Sequence, residues 1–505
     1  MNTYILRAFS AALLLASSAL GQVPLEAGKG PQGGKGGKGA KGPQAPLPPG
    51  ATNDPYPQPI AATEGVIAVR FSEFAAIPPL AGTTTAPRMM AMTDQPGTRR
   101  LFVSDMRGPL YSVSYDGKTV TQYVDINAAS WGVSVQSMGS ERGLQSFAFH
   151  PQFSQTGTPG FGKFYTLLDT ANTMPPADFK PLGGMHTHDS VLLEWTAKSP
   201  AAATYDGGAP RELMRWEQPF QNHNCGHMSF NPTAAAGSAD FGLLYIGFAD
   251  GGSGGDPFKH AQNLAVGFGK IFRINPLGTN SANGKYGIPA SNPFANDGKD
   301  DTLGEIYAYG VRNPQRLFWD RKNGNMFMSD IGQNIIEEVS PVTAGANLGW
   351  NDWEGNYRFL GSREGVSSAN PRSDAKVTYP IVEYGQLDPL LMGSSAAIGG
   401  LVYRQNAIAP LSNLLLFGDN PSGEIFYVNA DNLPKGGQDP IRRVLLNDNG
   451  TSKTLLQVIK EKNAAQGRTP ANRADLRFGE GSDGRIFLLN KGDGTIRVLI
   501  PDPPR

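Results

Sequence analysis

Along most of the chain, a short run of alternating apolar and polar residues stops at glycine or Asp-Gly, and a second alternating run follows. The pattern occurs in RRLFVSDMRGPLYSVSYDG (99–117), GKFYTLLDT (162–170) with DSVLLEWTA (189–197), and GLLYIGFADGG (242–252) with GKIFRINPLG (269–278). It returns in EIYAYGVRNPQRLFWDRKNGNMFMSDIG (305–332), AAIGGLVYR (396–404) with NLLLFGDNPSGEIFYVNA (413–430), and RFGEGSDGRIFLLNKGDGTIRVLIP (477–501). Alternation with period two reads as half-buried strand, and the glycine punctuation reads as turn. Six such units, recurring at roughly 60 to 90 residues, suit radial repetition of small sheets. The expected fold is all-β: a six-bladed β-propeller of four-stranded antiparallel sheets. Each sheet is too small to be stable alone, and closing the ring removes most free edges. A two-sheet sandwich places its strands at shorter intervals than these units do. Segments 279–302 and 351–378 are polar and read as long face loops. A propeller of this kind places ligands at the mouth of its central channel, where loops from several blades converge.

Composition supports this reading. With 63 Gly, 40 Pro and only 17% charged residues, the chain favours turns and short strands over helices. Residues 1–21 read as an export signal: Arg7 precedes the apolar run AFSAALLLASSAL, and ALG offers small residues for cleavage. Residues 22–60 hold almost nothing apolar to bury and read as a disordered Gly/Pro/Lys-rich linker; glycine does not recur at every third position, which excludes a collagen-like helix. The propeller is assigned to 61–505. No later run is apolar enough to span a bilayer, so the mature chain is expected outside the cytoplasm, secreted or periplasmic, with no transmembrane segment. One cysteine allows no internal disulfide. Residues 1–50 carry five basic side chains and one acidic, which leaves 39 basic against 43 acidic in the rest, a net of about −4. That balance gives no sign of a nucleic-acid partner.

Candidate chemistry concentrates in FQNHNCGHMSFNP (220–232), which holds His223, Cys225 and His227. Alternating His and Cys can face one side of a strand, but a zinc site needs further ligands at defined spacing, and a lone thiol is more often packed than reactive. An imidazole acting as acid or base remains, and on this run alone a histidine that simply holds a loop fits equally well.

Further motifs lie in chain order: ERGLQSFAFHPQF (141–153), NHNCGHMSFNP (222–232), FADGGSGGDPFKHAQNLAVGFGKIFRIN (248–275), EIYAYGVRNPQRLFWD (305–320), SDIGQNIIEEVSPVTAGANLGWNDWEG (329–355), GGLVYR (399–404), FGDNPSGEIF (417–426) and FGEGSDGRIFLL (478–489). Together they resemble the glucose/sorbosone dehydrogenase family, the soluble quinoprotein sugar dehydrogenases, over most of residues 66–500. The resemblance implies a six-bladed propeller that oxidises an aldose or related sugar with bound pyrroloquinoline quinone (PQQ) and passes electrons to an external acceptor. It implies that His223 is the base and Asp250 its orienting partner, since a carboxylate fixes the imidazole tautomer and stabilises the imidazolium. Arg312 and Asn313 match the pair at the reactive quinone carbonyl, where a fixed cation stabilises developing negative charge. The backbone carbonyls of Gly332 and Gln333 match those that hold a calcium ion at the quinone, and Glu338 matches a ligand of a separate structural calcium.

The departures from the family pattern fall on the cofactor's carboxylates. Pro421 stands at or near the family's lysine, and the arginine pair before the last blade is represented by Arg473 and Arg477 in NRADLRFGE. His227 stands where an arginine usually follows the base, and Glu141 stands where a glutamine touches the cofactor, with Arg142 a candidate counter-charge. Two other functions fit the same chain: a non-catalytic propeller that binds a protein or glycan, like hedgehog-interacting ectodomains, and a metal-dependent lactonase with Glu141, Asn224 and Asp419 around a central ion. In GWNDWEG, Trp350 or Trp353 is a candidate sugar-stacking surface.

Overall fold

A computed structural model of the chain describes residues 46–502. The export signal, the first part of the linker and the last three residues lie outside that span. Six four-stranded antiparallel sheets are arranged as the blades of a propeller. Blade one comprises Met89–Asp94, Arg100–Asp105, Pro109–Ser114 and Val120–Asp125; blade two comprises Leu144–Phe149, Lys163–Thr170, His188–Thr196 and Arg211–Gln218. Blade three comprises Cys225–Phe230, Leu244–Phe248, Lys270–Ile274 and Ile306–Tyr309, and blade four Pro314–Trp319, Met326–Asp330, Ile336–Val342 and Val382–Gly385. Blade five comprises Ala397–Tyr403, Leu414–Asp419, Ile425–Asn429 and Arg442–Asp448. The sixth takes Arg477–Glu480, Ile486–Leu489 and Thr495–Ile500 from the end of the chain and its outer strand, Ile67–Ala76, from the beginning. The six sequence units thus fall one to a blade, except that Ile306–Tyr309 at the head of the fourth unit closes blade three.

The first strand of each blade is innermost, and these six strands neighbour one another around the channel. Ring closure is made by Ile67–Ala76, which pairs antiparallel with Thr495–Ile500, with Phe71 opposite Leu499. The same strand pairs in parallel with Arg442–Asp448 and so joins blades five and six at their outer edges. Between blades the core is strongly aromatic: Trp216 stacks on Phe248 with ring centroids 4.2 Å apart. The indole N–H groups of Trp195 and Trp216 donate to Thr166 Oγ1 and Gly267 O, both at 2.9 Å, which avoids the penalty of an unpaired buried donor.

Three features depart from the sequence reading. Residues 46–60, assigned to the linker, lie against the propeller: Ala51–Thr52 pairs with Gly365–Ser367, and the Ile60 N–H donates to Asp388 Oδ2 at 2.7 Å. Segment 351–378 is a small inserted sheet more than a loop, with Trp353–Glu354, Tyr357–Gly361 and Gly365–Ser367 in succession. One helix, Leu455–Ala465, is started by a capping box between Thr454 and Gln457 and buries Leu455, Leu456, Val458 and Ile459. Among the described residues no helix is long and apolar enough to cross a membrane.

Candidate active site

The N-terminal ends of the inner strands open into a polar cavity of about 260 Å³. His223 reaches it from the turn just before the inner strand of blade three, with a backbone φ of 50°, in the left-handed region. That strained conformation is held from outside: the His223 N–H donates to Glu141 Oε2 at 3.0 Å. Glu141 therefore pairs with the backbone of His223, and among the described residues Arg142 makes no ion pair with it. Behind the ring, His223 Nδ1 lies 2.8 Å from Asp250 Oδ1. An acceptor there places the proton on Nδ1 and leaves the Nε2 lone pair for a ligand.

Asp250 is buried and held on both oxygens, Oδ1 by the Gly252 N–H and Oδ2 by the indole N–H of Trp350, each at 2.9 Å. Burial alone raises its carboxyl, but the His223 charge and hydrogen bond, with Arg312 and the Gly252 N–H, outweigh burial and leave it below the ordinary value. Arg312 is fixed in turn: its guanidinium donates to the carbonyls of Ile331 (2.8 Å) and Gly332 (2.7 Å) and to Gln333 Oε1, and it lies 5.5 Å from the centre of the Trp350 ring. Asp330 pins the backbone beneath it, accepting the N–H of Arg312 at 2.8 Å and of Asn313 at 2.6 Å. Burial pushes Asp330 up to about 6, opposed by those N–H groups and reinforced by Asp250. Trp350 therefore serves the dyad and offers no face for stacking a sugar. Trp353 is buried against Tyr379, edge to face, and offers none either.

Opposite the histidine the cavity is lined by Arg473, Arg477 and Lys491 from blade six, with Asp475 between them and Pro421 beside them. Arg473 donates to Asp475 Oδ1 at 2.7 Å and Asn420 Oδ1 at 3.1 Å. Arg477 donates through Nη1 to Leu476 O, while its buried Nε has no partner. Burial, together with the neighbouring Arg473, lowers Arg477 to about 10, with Asp475 opposing. Lys491 is pulled well below the ordinary lysine range by burial and by the charge of Arg477; its Nζ donates only to Ser140 O, at 3.2 Å. Three cations facing one carboxylate form a site that an anion with several carboxylates relieves. The orphaned Arg477 Nε is a donor ready for one of them. The residues present fit a tricarboxylate quinone, and Lys491 puts a further basic side chain in the cavity that Pro421 also lines. No sequence motif marks Lys491; only closure of the ring brings blade six to face blade three.

Calcium fits less well. The Gly332 carbonyl is taken by Arg312, and the Gln333 side chain accepts from both Arg312 and the Gly255 N–H. The backbone of this turn is strapped by Glu354, whose Oε1 accepts the N–H groups of residues 333–336. Glu338 does not line the cavity: its oxygens accept from Ser340 Oγ and the Gly355 N–H, and burial raises its carboxyl, as do Asp330 and Glu383. Among the described residues no three His, Cys, Asp or Glu side chains are grouped to hold a metal ion.

His227 is the clearest correction. It lies outside this cavity, on the opposite side of the channel, where its Nδ1 accepts the Leu317 N–H at 3.3 Å. Four residues along an extended strand span roughly 13 Å, enough to carry a side chain from one mouth of the channel toward the other. Cys225 is buried, 3.7 Å from Asp169, and burial and that carboxylate raise its thiol well above the ordinary range. It is neither nucleophile nor metal ligand.

At one mouth of a six-bladed propeller, a carboxylate-backed histidine faces a basic wall. The chain belongs to the glucose/sorbosone dehydrogenase family, whose sequence profile matches residues 208–493. HIPL1 protein of Arabidopsis thaliana is 29% identical over 360 residues, 64% of this chain and 49% of that protein. Human Hedgehog-interacting protein is 27% identical over 366 residues, 66% of this chain and 47% of that protein. The chain thus spans about half the length of these curated relatives. The PQQ-bound form of aldose sugar dehydrogenase from Streptomyces coelicolor shares the fold, with a TM-score of 0.52 at 18% identity over 86% of this chain and 98% of that one.

Proposed function

We propose that this protein is a sugar dehydrogenase that works with PQQ and oxidises an aldose or related alcohol at the polar mouth of the channel. The observation that carries the proposal is the His223–Asp250 pair at 2.8 Å, set across the cavity from Arg473, Arg477 and Lys491. Those three cations would hold the carboxylates of the cofactor, and Arg312 with Asn313 would flank its reactive end. The cofactor, when bound, supplies a two-electron acceptor for the hydride leaving the sugar carbon. His223 Nε2 takes the proton of the sugar hydroxyl, and buried Asp250 stabilises the imidazolium that results. Trp350 and Gly252 keep the Asp250 carboxylate aimed at the ring, and Asp330 keeps Arg312 in place. The proton later leaves from Nε2 to solvent through the open mouth, and the electrons pass to an external acceptor.

The match to Hedgehog-interacting protein supports a second reading, a propeller that binds without turnover. Titration of the purified protein with PQQ, with and without calcium ions, followed by a panel of aldoses, separates the two. Saturable binding and sugar-dependent reduction of the cofactor that His223→Ala abolishes support the dehydrogenase. Absence of binding at micromolar cofactor sinks it and leaves the binding propeller.

A further inference from the structure

The other end of the channel holds a second, larger cavity, of about 700 Å³, lined by the C-terminal halves of the six inner strands. Its walls are apolar and aromatic, with Met92, Phe149, Phe230, Phe318 and Phe478 among them. Arg316 stands among these walls, only 5% exposed. Its guanidinium donates to the carbonyls of Met90 and Gln315 and to no carboxylate among the described residues.

Four buried or largely buried arginines away from the channel mouths are neutralised, whereas Arg312 and Arg477 at the polar mouth, like Arg316, meet no carboxylate among the described residues. Arg215 pairs with Asp189 at 2.7 Å, Arg497 with Asp493 at 2.6 Å, Arg404 with Asp320 at 2.5 Å and Arg443 with Glu424 at 2.8 Å. Arg316 instead feels the positive charge of Arg477, which adds to the effect of burial in lowering its affinity for a proton. An uncompensated buried cation is costly to keep out of water. Acids at the rim do not relieve it: Glu480 is engaged with Arg321 at 3.2 Å, and Asp94 with Tyr115 and the Ser482 N–H. A second donor stands beside the arginine. Because His227 Nδ1 accepts the Leu317 N–H, its proton is on Nε2.

We propose that this mouth is a binding site for a small organic anion, a single carboxylate or sulfonate carried on an aromatic or aliphatic body. The anionic head pairs with Arg316 and accepts from His227, and the body packs on the phenylalanine walls. The cavity has the size of small-molecule sites, and its phenylalanine walls are interrupted by polar groups that include Arg316 and His227. The inference is independent of any chemistry at the polar mouth.

The test is calorimetric titration of the full chain with phenylacetate, 4-phenylbutyrate, octanoate and naphthalene-2-sulfonate, with phenylacetamide, 4-phenylbutyramide and acetate as controls. At least one of the four anions binds once per chain at roughly millimolar affinity or better. Its amide, or acetate, binds about tenfold or more weakly. Arg316→Met loses the binding while circular dichroism shows the fold intact. Ser229→Trp, which fills the mouth from a half-exposed position and leaves Arg316 in place, loses it as well. Equal affinity for acid and amide, binding that survives either variant, or no saturable binding by any of the four anions overturns the proposal.

Discussion

At the N-terminal ends of the inner strands the channel presents His223, Arg312 and a row of cations; at the C-terminal ends of the same strands it presents phenylalanine walls around one arginine. Both mouths draw on the same strand positions, four residues apart: His223 and His227 on blade three, Arg312 and Arg316 on blade four. At the polar mouth every catalytic candidate is oriented by a neighbour, Asp250 behind His223 and Asp330 beneath Arg312. At the apolar mouth the polar groups stand in a hydrophobic wall. The difference teaches that residue type alone does not define function in a propeller; position along the inner strand decides which chemistry a histidine or arginine enters.

The sharpest way to break this comparison is His223→Ala. Loss of the base is expected to lower sugar-dependent reduction by about 10²- to 10⁴-fold, with PQQ affinity little changed, as measured by single-turnover absorbance. Asp250→Asn leaves the ring in place and removes its charged partner; a fall of roughly 10- to 100-fold is expected, together with an altered pH profile of turnover. A purely structural role would shift stability and leave the profile unchanged.

Lys491→Gln is expected to weaken PQQ binding by about tenfold, with the loss shrinking as salt rises, in an equilibrium titration that needs no turnover. An affinity equal to the parent's would remove Lys491 from the basic wall.

On the two outer strands of blade four, burial raises the Glu337 carboxyl to about 8 and the Glu383 carboxyl to about 7. Folding therefore takes up protons that the unfolded chain has already released. That contribution is fully present below the ordinary glutamate range and is lost progressively as pH rises from there to about 7 for Glu383 and about 8 for Glu337. Calorimetry is expected to show Tm falling between pH 5 and pH 9 as stability on the order of several kcal/mol is lost, with Glu337→Gln flattening the slope. The smallest effect is at Cys225: iodoacetamide should leave it unmodified in the native protein and alkylate it once denaturant is added.

Much of this was legible in the sequence. The ring could be read because each blade repeats the same alternation and the same Gly or Asp-Gly punctuation. His223, Asp250, Arg312 and Asn313 were legible through motifs around them, and the structure brings them together. Trp350 and Lys491 were not, because each acts beyond its own blade, Trp350 reaching Asp250 from 100 residues away; Asp330 was not, because it acts on two backbone N–H groups within blade four. His227 misled because spacing along a strand is distance along the channel, and only the strand's direction shows which mouth it reaches. The helix at Leu455–Ala465 carried one short signal, the Thr454–Gln457 box, inside a region dominated by strand patterns.

The strand that closes the ring also orders events in time. Ile67–Ala76 leaves the ribosome roughly 400 residues before its antiparallel partner Thr495–Ile500. Contacts so distant in sequence form slowly. Until they form, the growing chain carries unpaired strand edges that invite association with other chains. Until Thr495–Ile500 is made the sixth blade cannot shut, so the fate of the chain during biosynthesis is decided by whatever shields those edges in the interval.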